Sequence, residues 1–250
     1  MKNFLFVVLL VFCSFHVCDA QQMDKSLFQN YQTALVIFNR SSGEWTESDP
    51  ALSQRLLPPC STFKIYNTLI GLELGILKGP DEPWYQWDGI KRKIEGWNQD
   101  LTLREAFRVS AVPAFQGLAR QIGAERMKKF IEQMGYGNKD ISSGIDTFWL
   151  PVPGKPSLLI NAKEQVQLFN KLLDGQMPFS KGSADILKDI MQWQTTDKGI
   201  LYGKTGTGTD EKDQENLGWY VGFLESGDRT YVFACNITGC DKPSGKKARE

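Results

Sequence analysis

Strand-like patterning is confined to the two ends of this 250-residue chain, and no other feature restricts its fold so tightly. Near the start, Thr33 to Phe38 is a buried-strand run, closed by the turn-forming segment Asn39-Arg40-Ser41-Ser42-Gly43. Near the end, Gly199 to Lys204, Leu217 to Leu224 and Thr230 to Ile237 have the same character, with Ser226-Gly227-Asp228 as a tight turn. The middle has helical periodicity. The spacing of Ile65, Leu69 and Leu72 predicts a helix over 61–74, stopped by Gly75. Thr102 with Glu105 forms a capping box, Pro113 suits the first turn of the next helix, and Glu125 to Met134 closes at Gly135. Asn161 caps a helix with Val166, Phe169, Leu172 and Leu173, and a further helix is expected from Ser183 to Trp193. A lone early strand has to join the late ones. The chain therefore reads as α+β: one antiparallel sheet completed by distant segments, with the inserted helices as a second lobe and a cleft between lobes.

Forty-one per cent hydrophobic residues and seven tryptophans supply a substantial core. Positive and negative side chains balance at 29 each, which gives no pull toward nucleic acid or anionic lipid. The first twenty residues read as a cleaved export signal: Lys2, an apolar run from Phe4 to Phe12, then Cys18-Asp19-Ala20. That run is shorter than the roughly 20 residues of a membrane span, so no stable anchor is expected and the mature protein is placed outside the cytoplasm, secreted or periplasmic. Cys18 fits a lipoprotein signal poorly, because Phe15-His16-Val17 lacks small residues. Cleavage would also discard His16, the one histidine, and with it Ser-His-Asp triads, Cys-His dyads and histidine zinc sites. Of the remaining cysteines, Cys60 reads as a small buried hydrophobe, while a Cys235–Cys240 bridge stays open.

Without imidazole, a serine nucleophile needs another base. Ser61-Thr62-Phe63-Lys64 supplies one, since residues three apart share a helix face. The helix start also aims backbone N–H groups at a developing oxyanion. Ser-x-x-Lys recurs at Ser244 to Lys247, so the spacing alone is weak. Two further pieces strengthen it. Ser110-Ala111-Val112 places a second hydroxyl at a helix end, and Lys204-Thr205-Gly206, followed by Thr207-Gly208, ends a strand where glycine admits a ligand to the backbone. In this order the three form the pattern of serine enzymes that recognise penicillins.

Pro59-Cys60-Ser61-Thr62-Phe63-Lys64-Ile65, Ser110-Ala111-Val112-Pro113, Tyr136-Gly137-Asn138, Phe148-Trp149-Leu150, Lys204-Thr205-Gly206 and Gly218-Trp219 resemble the class D, oxacillinase-type β-lactamases, from about Tyr31 onward. The Ser-Asp-Asn of class A is absent. The resemblance implies a three-layer β-lactamase/transpeptidase-like sandwich and hydrolysis of β-lactams through an acyl-enzyme on Ser61. It implies that Lys64, neutral in an apolar pocket, takes up carbon dioxide to become N6-carboxylysine, supported by Val112 and Trp149, with no metal or other cofactor. Ser110 and Lys204 would handle the leaving-group proton. Thr205, Gly206, Thr207 and Arg249 would bind substrate, Thr207 through its backbone and Arg249 through the substrate carboxylate. Trp219 reads as core or cleft wall. By the same resemblance the domain occupies residues 21–250, lacks the family's final helix after Glu250, and is a monomer or homodimer. A penicillin sensor that stays acylated and a non-catalytic binding protein are the competing readings.

Overall fold

The computed structural model describes residue 28 and residues 31–151, 158–210, 215–239 and 242–250. The expected export signal over 1–20 and Cys240 lie outside them. The strands are β1 (Gln32–Asn39), β2 (Glu44–Glu47), β3 (Pro83–Tyr85), β4 (Leu101–Thr102), β5 (Gln192–Thr196), β6 (Gly199–Asp210), β7 (Glu215–Ser226) and β8 (Arg229–Thr238). Six of them make one antiparallel sheet in the order β2-β1-β8-β7-β6-β5, and β3 and β4 form a separate ribbon. The early strand does join the late ones: β1 pairs with β8 from Gln32↔Thr238 to Asn39↔Tyr231.

The helices are α1 (Pro50–Ser53), α2 (Lys64–Glu73), α3 (Leu103–Arg108), α4 (Val112–Ile122), α5 (Ala124–Met134), α6 (Ala162–Leu173), α7 (Lys181–Met191) and α8 (Gly245–Arg249). The Thr102–Glu105 capping box forms, and the Asn161 cap closes as a second box with Glu164. Strand alternation sets the core. Leu217, Trp219, Val221 and Phe223 of β7 are buried, as are Val232 and Ala234 of β8 and Ala34 and Val36 of β1. The larger of these, such as Leu217, Val221, Phe223, Val232 and Val36, each contribute about 1.5–3 kcal/mol on burial. Tyr220, Phe233, Cys235 and Ile237 line a cavity of about 570 Å³ on the opposite face, shared with α8.

Two expected helices differ in extent. The one over 61–74 opens as a 3-10 turn, Cys60–Phe63, before α2 begins at Lys64. The one over 183–193 ends at Met191, because Gln192 leaves helical geometry (ψ 118°) and its β-prone successors Trp193, Thr195 and Thr196 enter β5. The second Ser-x-x-Lys is a helix start. Ser244 caps α8, its side chain accepting from the Lys247 backbone N–H at 3.3 Å. Among the described residues no helix is long and apolar enough to cross a membrane.

Candidate active site

In the 3-10 turn that carries Ser61, side chains three apart eclipse one another, which aligns Ser61 with Lys64. Lys64 Nζ donates to Ser61 Oγ at 2.8 Å. Several elements clamp this turn. Thr62 Oγ1 donates to Pro59 O at 2.6 Å and accepts from Gln165 Nε2 of α6 at 3.1 Å. The Trp219 indole donates to Pro58 O at 3.0 Å, so this core residue also anchors the chain three residues before Ser61. Cys60 holds a left-handed backbone (φ 51°), a strained conformation for a side chain other than glycine.

Lys64 is fully buried. Burial above all, and then the charge of Lys204, hold its amine well below the usual lysine range, with the neighbouring Cys60 opposing weakly. A neutral amine against a hydroxyl is competent to take its proton. The Phe115 ring lies 5.5 Å from Nζ. Trp149 is also fully buried and stacks on Phe63 with 6.1 Å between centroids, and its indole N–H finds no acceptor among the described residues. Val112, half-buried, begins α4.

Ser110 follows α3 in the left-handed region (φ 55°). Its N–H donates to Phe107 O at 3.2 Å, and Ala111 N–H donates to Ala106 O at 2.9 Å. This double closure is a Schellman cap with serine where glycine is usual. Lys204, reaching over from β6, donates from Nζ to Ser110 Oγ and to Thr205 O, each at 3.0 Å. Its amine is lowered to about 7 by burial. Ser61, Lys64, Ser110 and Lys204 thus form two amine–hydroxyl pairs, and the first amine feels the charge of the second.

One edge of β6 pairs with β7 from Ile200 to Asp210, whereas β5 covers the other edge only from Gly199 to Tyr202. The stretch from Gly203 to Asp210 is left with an open edge, which can receive an extended amide. The two glycines of Lys-Thr-Gly-Thr-Gly let this strand lie against the serine turn. A Cβ on Gly206 would sit 3.1 Å from Pro59 O, and one on Gly208 would collide with Cys60 Sγ. Thr205 and Lys204 line a cavity of about 250 Å³ with Phe107 and Trp193. Thr207 Oγ1 is engaged from outside, accepting from the Gly245 N–H of α8 at 2.8 Å.

Arg249 is the last residue of α8, and its guanidinium stacks 3.9 Å from the Trp193 ring centroid. It lines the cavity on the α8 face, and Tyr220 is common to both cavities. Cys60 and Cys235 are buried free thiols, each raised to about 12 by burial. Among the described residues no group of histidine, cysteine or carboxylate side chains is arranged to hold a metal ion. Sequence reasoning missed the rings over the two amines, Phe115 and Phe107, the Trp219 anchor and the Gly208 contact. It also missed Asn67, a fully buried amide one helical turn after Lys64, which the three-residue spacing from Ser61 and Lys64 could have flagged.

The chain matches the penicillin binding protein transpeptidase domain over residues 28–250. It is 43% identical over 191 residues to a probable β-lactamase, YbxI, of Bacillus subtilis (strain 168), covering 76% of this chain and 67% of that protein. β-Lactamase OXA-5 of Pseudomonas aeruginosa is 38% identical, with coverage of 81% and 74%. The crystal structure of FUS-1 (OXA-85), a class D β-lactamase from Fusobacterium nucleatum subsp. polymorphum, has a TM-score of 0.81 at 39% identity, covering 87% of this chain and 88% of that one.

Proposed function

Because this chain belongs to the class D serine β-lactamases, we propose that it hydrolyses β-lactam antibiotics through an acyl-enzyme on Ser61 and so confers resistance to them. The observation that carries this reading is the 2.8 Å contact from the buried Lys64 amine to Ser61 Oγ. Ser61, relieved of its proton by the Lys64 side chain, attacks the lactam carbonyl. The backbone N–H groups of Ser61 and Thr207 receive the oxyanion, with Gly206 keeping the approach clear. Ser110 hands a proton to the departing nitrogen, and Lys204, 3.0 Å from its oxygen, sets the direction of that transfer. Thr205 and Arg249 bind the substrate carboxylate.

Carbon dioxide fits the site as a modifier of Lys64. The amine is held neutral and therefore nucleophilic, and Trp149 offers a buried N–H that lacks an acceptor. When bound, it supplies an anionic carbamate base for both acylation and deacylation. Trp149 would hold the added carboxylate, and Val112 would help keep water from it. Addition of labelled bicarbonate should give a carbamate ¹³C resonance that Trp149→Phe weakens by about tenfold or more in occupancy. A resonance unchanged in that variant would remove Trp149 from the role.

Residues 1–20 act as a cleaved export signal on this reading, and residues 21–250 form a secreted or periplasmic enzyme working as monomer or homodimer. Mass spectrometry during penicillin turnover tests the whole scheme. An adduct on Ser61 that appears and decays supports it. A stoichiometric adduct that persists would make the protein a sensor, and no adduct would make it a binding protein.

A further inference from the structure

We infer that Trp193 is a positioning residue for substrate recognition: a β-bulge swings its indole out of the sheet edge to hold the Arg249 guanidinium at the carboxylate end of the cleft. The inference rests on the assignment of Arg249 to the substrate carboxylate. In the β5–β6 ladder Gln192 pairs with Tyr202 and Gln194 with Leu201, so Trp193 is the extra residue, without a partner on β6. Such a bulge re-aims a side chain, and bulges are frequent beside active sites. The strand gains nothing in core packing from it. All five residues of β5 are exposed, Trp193 by 46%.

What the indole does touch is chemically specific. Its ring lies under the Arg249 guanidinium at 3.9 Å, within the range of a cation–π contact. The Arg249 guanidinium is in no salt bridge or side-chain hydrogen bond among the described residues, so the ring sets its direction while its N–H donors stay available to a carboxylate. Trp193 also walls the cavity that contains Lys204 and Thr205, whereas Arg249 lines the next one. The indole therefore stands between the arginine and the cavity that Lys204 and Thr205 line.

Kinetics with benzylpenicillin and its methyl ester test this. Trp193→Leu, which keeps apolar bulk but removes the ring, should raise KM for the acid about fivefold. It should leave kcat within about twofold and the ester's KM unchanged. Trp193→Phe should recover most of the loss, and Trp193→Leu should add nothing in an Arg249→Ala background. Equal effects on acid and ester, or an unchanged KM for the acid in Trp193→Leu while Arg249→Ala raises it, would overturn the role of Trp193 and leave that of Arg249 standing. If Arg249→Ala itself leaves the acid's KM unchanged, the arginine assignment falls and this inference with it.

Discussion

Ser110 occupies a backbone position that local geometry would give to glycine. Its left-handed φ of 55° costs a residue with a Cβ about 1 kcal/mol, and the Schellman closure around it accepts glycine without loss. Ser110→Gly should therefore raise the melting temperature by about 2–4 °C while lowering turnover about a hundredfold or more. A variant that is less stable as well as inactive would assign the serine a structural role. Lys204 carries a second tension of this kind. Its buried amine titrates near 7 in the fold, against an ordinary value of 10.5. Between those values the unfolded chain binds the extra proton, so stability rises with pH across that window, and the full penalty applies below it. Lys64 contributes in the same direction, so the informative quantity is a difference. In buffer free of carbon dioxide, Lys204→Met should show a flatter rise in melting temperature from about pH 7 to 9.5 than the parent protein. Parallel curves would contradict the burial argument.

At the level of elements, the site is an approach between one turn and one strand. Gly208 has no room for a Cβ beside Cys60 Sγ, and Pro151 Cγ would lie only 3.1 Å from it. Gly208→Ala should destabilise the protein by about 1–3 kcal/mol in chemical denaturation. Cys60→Ala in the same chain should return part of that, and strict additivity of the two changes would refute the contact. Much of this level was legible in the sequence, for identifiable reasons. The capping boxes at Thr102 and Asn161 and the turn at Gly227 are decided by neighbours a few residues apart. The serine–lysine pair follows from three-residue spacing. What escaped was non-local. Nothing near Trp193 announces a bulge, since its cause is the register against β6, and no pattern near Trp219 reveals a bond to Pro58 across 161 positions. Residues such as Phe115 look like ordinary core until the lysine beneath them is located.

Across the whole molecule, the two amine–hydroxyl pairs come from three distant stretches of chain, around residues 61, 110 and 204, and the sheet unites its first strand with its last. The α+β reading followed from that separation of strand signals, while the pairing order and the open edge of β6 required the structure. The β1–β8 ladder also governs what happens to an unfinished polypeptide. Until residues 229–238 exist, one long side of β1 has no backbone to bond with, although its hairpin with β2 can already close. A product terminated before that point would carry a bare, hydrophobic ribbon that invites pairing with its own kind. Stops before residue 229 should thus yield insoluble material instead of a soluble half-enzyme, as fractionation of the expressed fragments would show.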